Sequence, residues 1–295
     1  QAAILAYHYG RSERQEKAVQ YAILAGDRAA RLYANAEATT YYEQALTMAR
    51  ALPASPEAHL QQIDASLKLA TVGLTRQHIE RDQMNLEEAR ALAENLHDEP
   101  GLARVFYWLG RIHYVLADQR RAIEYARQSL EIAERLGDDA LAAPPVNLMG
   151  RAYWQLSEFA KSAQMMERSA EQMRRLGNKS EECTAAGFGG QVLGWMGEFD
   201  RALFYTDHGV RLAQEIQNPF AEAAAHQYRG IVRAERGEWV GAIADYQEAR
   251  RLAERAGDLF RVYISEAWEG LAHAMAGDPR QGKARVEESL AIAGK

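Results

Sequence analysis

Five glycines, Gly110, Gly150, Gly190, Gly230 and Gly270, recur at an unvarying spacing of 40 residues, and other columns keep step with them. Seven positions on stand Ala117, Ser157, Gly197, Gly237 and Gly277, and five after those Ala122, Ser162, Ala202, Ala242 and Gly282. Small residues in these columns are expected where two helices of a hairpin touch. A further column reads Gly137, Gly177, Gln217 and Gly257, each beside Asp, Asn or Lys, which marks the end of one helix and the start of a loop. Self-similarity at such a period defines a repeat architecture before any local propensity is consulted.

The repeat reads as paired helices. A helices are predicted near 58–76, 100–116, 141–156, 180–196, 220–236 and 260–276, and B helices near 80–96, 119–136, 159–176, 199–216, 239–256 and 280–293. The seven prolines are read at the junctions, none interrupting a helix. The first stretch is helical but out of register, with helices at Ala2–Tyr9, Glu16–Ala25, Asp27–Ala34 and Ala36–Leu52 and breaks at Gly10, Gly26 and Asn35. The loop from Leu52 to His59 divides residues 1–52, in irregular register, from a regular array over 53–295. In the B helix from Arg120, the stripe Ala122, Ile123, Ala126, Leu130 and Ala133 needs a neighbour on each side to leave water. Stacking follows, and the fold class expected is an all-α, right-handed α-solenoid of about eight helix hairpins.

Composition narrows the function. A formal charge of −6 speaks against a nucleic-acid surface. The lone Cys183 excludes a disulfide framework and makes the cytoplasm the expected compartment. No apolar run approaches the roughly 20 residues of a membrane span. Gln1 reads as the cut end of a longer protein, and the apolar Ala291–Ala293 end as a truncation or a partner site. The eight histidines form no metal spacing. Gly187, Gly189, Gly190 and Gly194 do not follow a strand, so a dinucleotide loop is not expected, and Cys183 has no evident nucleophilic role. The chain is expected to be no enzyme and to carry neither cofactor nor metal.

The segments FYWLGRIHYVLADQRRAIEYARQSLEIA and GGQVLGWMGEFDRALFYTDHGVRLA resemble tetratricopeptide repeats in a longer-helix form. The likeness is carried by Gly150, Tyr153, Phe159, Gly190, Gly197, Phe199, Ala202, Gly230, Gly237, Trp239, Ala242 and Tyr246. Arg229 and Glu269 depart from the leucine expected before the glycine, and Arg233 from the aromatic after it, so looser packing is expected in the last two A helices. The N-terminal stretch, AYHYGRSERQEKAVQYAILAGDRAARLYANAEATTYYEQAL, resembles repeat arms that follow ATPase modules in bacterial multidomain signalling proteins, including cyclase-linked and transcription-regulating ones.

In tetratricopeptide arrays the A helices line a concave surface. The resemblance therefore implies a groove containing Arg104, Tyr107, Trp108, Arg111, Asn147, Arg151, Trp154, Gln155, Gln191 and Trp195. Aromatic and arginine side chains suit binding because they combine large area with directional hydrogen bonds. The large apolar column at 108, 148, 188, 228 and 268 has two readings, groove wall or filler of the seam between successive A helices. The expected ligand is a protein or peptide, either acidic or extended with apolar anchors, bound by a scaffold or sensor arm that regulates a module elsewhere in the full-length protein. The alternatives are homo-oligomerisation through terminal repeats and small-molecule sensing.

Overall fold

A two-residue device sets the turn between successive helix pairs. His97, Gly137, Gly177, Gln217 and Gly257 all take positive φ, between 53° and 73°, which reverses the chain without strain only where Cβ is absent. The residue after each caps the next helix. The side chains of Asp98, Asp138, Asn178, Asn218 and Asp258 accept from the backbone N–H of Gly101, Leu141, Glu181, Ala221 and Arg261 at 2.9–3.3 Å.

The computed structural model describes residues 15–32, 34–73 and 78–293. Among the described residues it holds 14 α-helices and no strand. They are α1 (Gln15–Arg31), α2 (Asn35–Ala51), α3 (Pro56–Gly73), α4 (Ile79–Leu96), α5 (Glu99–Val115), α6 (Gln119–Leu136), α7 (Asp139–Gln155), α8 (Phe159–Arg175), α9 (Lys179–Trp195), α10 (Phe199–Glu215), α11 (Pro219–Arg236), α12 (Trp239–Ala256), α13 (Leu259–Met275) and α14 (Pro279–Ala293). This is the all-α repeat solenoid class that the ladder implies, with odd-numbered helices from α3 on as A helices. The helix expected at Ala2–Tyr9, its break at Gly10 and the end of the first A helix near residue 76 lie outside the described residues.

Two compact units divide the chain, residues 1–148 and 149–295, with the division inside α7. In the first unit, Val19, Tyr42, Leu46 and Leu69 form a core among α1, α2 and α3. Ile63, Leu86, Phe106, Leu109 and Ile112 form a second one among α3 to α6. The second unit is built around α9, whose Phe188, Val192 and Leu193 pack with Met166, Ala202 and Val232. The stripe read along α6 is buried at all five positions.

The glycine ladder is a contact surface. A methyl group built on Gly190 would stand 2.6 Å from Thr206 Cγ2 and 2.8 Å from the Ala202 carbonyl oxygen. On Gly230 it would meet the Tyr246 ring at 2.7 Å, and on Gly270 the Gly282 carbonyl at 2.7 Å. The column from Ala117 to Gly277 has another cause. Those five residues turn the chain inside each hairpin with φ between 60° and 101°, and added methyls at Gly197, Gly237 and Gly277 would meet nothing. They are small for backbone conformation, not for helix contact as the sequence suggested.

Three further expectations need correction. Gly26 does not break a helix: α1 runs through it, with the Tyr42 ring seated on its backbone. Asp27 accepts from the Tyr42 hydroxyl at 2.8 Å and pairs with Lys68 at 2.7 Å. Pro144 and Pro145 lie inside α7, because the Asp138 cap starts that helix earlier than the proline pair alone would. Finally, the last two A helices are closed tightly by charge. Asp245, 2% exposed, meets His226 Nδ1 at 2.8 Å, Arg229 Nη2 at 2.6 Å and Arg233 Nη1 at 2.7 Å. Glu269, fully buried, accepts from Gln247 Nε2 at 2.9 Å and lies 3.5 Å from Arg285 Nε.

Burial pushes the Asp245 carboxyl toward its neutral form, but hydrogen bonds from His226 and Arg229 and the charges of Arg229 and Arg233 outweigh it. The net result is a pKa below the ordinary 3.8. A carboxyl held low in the folded state stabilises fully above its unfolded value, and that stabilisation is lost as pH falls through the folded one. Asp245→Asn should therefore cost about 3 kcal/mol at neutral pH, as for breaking a buried pair, and flatten the acid limb of stability below pH 3.8, measured by urea unfolding across pH. Gly190→Ala should cost about 2–3 kcal/mol by overpacking. Gly177→Ala, where nothing lies within 4 Å, should cost only the left-handed strain of about 1 kcal/mol; equal urea midpoints for the two variants would contradict the contact role of the ladder.

Candidate functional site

The residues expected in a groove fall in both units, and each group stands on its own. In the first unit, Arg104, Trp108 and Arg111 recur at helical spacing on α5, with Tyr107 beside them. Tyr107 and Trp108 meet edge to face at 5.2 Å between centroids and 65°. Trp108 is half-buried and packs against the core. Arg104 is exposed; its Nε donates weakly to the Pro100 carbonyl at 3.4 Å, and its charge acts on Asp64 of α3. Burial raises the Asp64 pKa, with Lys68 and Arg104 opposing. Asn147 is half-buried on α7.

Arg111 stands apart from these. It is half-buried, its Nε is shut off from solvent, and that Nε has no hydrogen-bond partner among the described residues. Nor does an ion pair reach its guanidinium there. A buried N–H left without an acceptor costs about 1–3 kcal/mol, so the Arg111 side chain is held here without a compensating partner among the described residues.

In the second unit the aromatic side chains form a continuous run. Phe159 meets Trp195 edge-on at 5.8 Å, Trp195 stacks on Trp154 at 5.6 Å and 21°, Trp154 meets Phe188 at 5.5 Å, and Phe188 meets Tyr228 at 6.1 Å. The Arg151 guanidinium lies over the Phe188 ring, 4.9 Å from its centroid. Trp154 and Trp195 are half-buried and Gln155 is exposed, whereas Gln191 is buried. The Trp154 indole N–H is buried without a partner among the described residues.

The large apolar column is fully packed at two of its five positions. Leu148 and Phe188 are buried. Leu148 Cδ2 lies 3.1 Å from where a Gly110 methyl would be, and the Tyr228 ring covers Gly187 at 2.6 Å from its notional methyl. These side chains fill the seam between successive A helices. Trp108, Tyr228 and Trp268 keep part of their surface in water.

Residues set aside at the sequence level behave as packing groups. His113 is buried and stacks on Tyr125 at 5.3 Å, its pKa lowered by desolvation. Burial pushes the Cys183 thiol up to about 11, with Glu182 adding to the shift, so it is protonated at neutral pH. Gly187, Gly189 and Gly194 sit inside α9, against Tyr228, Met166 and Val232. Among the described residues no group of three or more His, Cys, Asp or Glu could hold a metal ion, and no helix is long and apolar enough to cross a membrane. Sequence reasoning missed the Glu182–His208 pair, 2.8 Å apart on α9 and α10, because neither residue belongs to a recognisable motif.

No family model matches the chain, and no curated protein matches it. Solved structures do. The apo form of RapI superposes with a TM-score of 0.75 at 14% identity, over 93% of this chain and 97% of that one. The Rap conjugation gene regulator of the plasmid pLS20, solved in complex with the Phr* peptide, gives 0.67 at 14% identity over 97% and 76%. A signal transduction ATPase with numerous domains from Pyrococcus horikoshii, which carries a tetratricopeptide repeat sensor, gives 0.67 at 14% identity; the match covers 99% of this chain but 45% of that protein. Likeness at these identities speaks for the fold, which is that of the tetratricopeptide-type helical repeat proteins.

Proposed function

We propose that the chain is a protein-interaction scaffold or sensor arm whose A-helix face takes a peptide or protein segment, regulating a module elsewhere in the full-length protein. The observation that carries this reading is Arg111, a half-buried guanidinium whose Nε has no acceptor among the described residues, set beside the Tyr107–Trp108 pair. A ligand carboxylate would pair with the part of this guanidinium that solvent reaches, and an adjoining apolar side chain would lie on the indole. Two solved neighbours, the pLS20 regulator with its Phr* peptide and a Rap protein with competence and sporulation factor, support the reading by carrying ligands on this fold. The sensor-bearing ATPase supports a place in a multidomain signal-transduction protein.

A second reading, end-to-end self-association, is favoured by α14, where Val286 is 38% and Leu290 67% exposed. Sedimentation across concentration distinguishes the two, since self-association needs no added peptide.

Selection from a random heptapeptide library on the immobilised chain should enrich peptides with a carboxylate next to a large apolar residue. Calorimetry with the best binder should show an affinity loss of about tenfold or more in Arg111→Ala, the worth of one charge-assisted contact. An unchanged affinity would remove the groove assignment.

A further inference from the structure

The second unit carries a cavity of about 230 Å3 between α8 and α10, with α9 as its floor. It does not belong to the A-helix face. Glu182 in its floor is nine residues from Gln191, which at about 100° per residue puts the two half a turn apart on α9.

The Glu182 side chain is only 8% exposed, yet its carboxylate has no permanent counter-charge within ion-pair distance among the described residues. Its one hydrogen-bond partner is His208 Nε2 at 2.8 Å, which is charged only when protonated. Arg174 in the cavity wall acts on it only through space, beyond ion-pair distance; a carboxylate removed from water without a cation in contact is costly, so this one is poised to gain from a cation that enters the cavity. The other acidic residues in the wall are differently placed. Glu171 pairs with Arg174 at 2.7 Å and Glu167 with Arg201, both cations being more than half exposed, so those pairs contribute little and can rearrange. At the mouth, the Phe204 ring is 66% exposed and stands edge-on to Tyr205 at 5.6 Å. An exposed aromatic face beside carboxylates is the setting in which a guanidinium gains both cation–π attraction and forked hydrogen bonds. The volume is below the roughly 300 Å3 at which small-molecule sites begin, which suits one side chain better than a whole metabolite.

We infer that this cavity is a second docking point, on the B-helix side, that takes an arginine side chain of a partner protein, with Glu182 as the buried anion and Phe204 as the stacking platform.

The test is a titration of the 295-residue chain with acetyl-Gly-Arg-Gly-amide, followed by amide proton–nitrogen correlation spectra. The expected result is saturable shifts confined to the stretches 167–174, 182–186 and 204–208. The neutral isostere with citrulline in place of arginine should give none. Glu182→Gln should weaken binding about tenfold, as for one charge-assisted contact, and Phe204→Ala, a surface change that leaves folding intact, about threefold. Arg111→Ala, on the other face, should leave the titration unchanged. Shifts scattered over the acidic surface, equal binding of the citrulline peptide, or an affinity unaffected by both Glu182→Gln and Phe204→Ala would overturn the assignment. Failure of the A-helix peptide experiment would not, since the two sites share no residue.

Discussion

Where Gly190 lies against Ala202 and Thr206, two helix backbones approach so closely that a single methyl group cannot be inserted. The rest of the unit depends on that approach. It draws the side chains of α9 into all of its neighbours at once, so that nearly every residue from Glu182 to Gly194 is buried. Glycine in mid-helix costs about 1 kcal/mol relative to alanine, and α9 contains Gly187, Gly189, Gly190 and Gly194. That cost is offset by dispersion contacts over the whole length of the seam, each small and together large.

Once the seam is fixed, side-chain roles follow from direction. Residues about half a turn from the glycine either fill the space between successive A helices, as Leu148 and Phe188 do, or remain partly in water, as Trp108 and Trp195 do. Arg111 is half-buried with its Nε unsatisfied among the described residues. Glu182, on the far side of its helix, faces a cavity of its own.

The period, the all-helical class, the junctions and the buried stripe of α6 were legible because they repeat, and repetition averages out local ambiguity. The meaning of individual columns was not. Smallness at Gly190 answers a steric contact, and smallness at Gly197 answers a positive φ, yet both are written with the same letter. Gly26 and the Pro144–Pro145 pair were misread for a related reason. Both look like helix breakers locally, but the Tyr42 ring on one and the Asp138 cap before the other decide the outcome from outside the segment. The site residues on α5 could be placed by helical rotation alone, whereas whether Arg111 has a partner depends on every neighbouring helix and so requires coordinates.

The charged closure of the last two hairpins carried a signal that becomes readable once the pairing is known. Leu109 and Tyr125, Met149 and Met165, and Gly189 and Tyr205 occupy two columns 16 residues apart. In the next repeat the same columns hold Arg229 and Asp245, and in the last Glu269 and Arg285, the same pair with its signs exchanged. Apolar seams are indifferent to which module is joined to which, so such repeats can be duplicated or shuffled at little cost. The last two cannot: recombining the A helix of one with the B helix of the other would bury arginine against arginine or carboxylate against carboxylate. These two hairpins thus carry a written order, in which each recognises its own half and rejects its neighbour's.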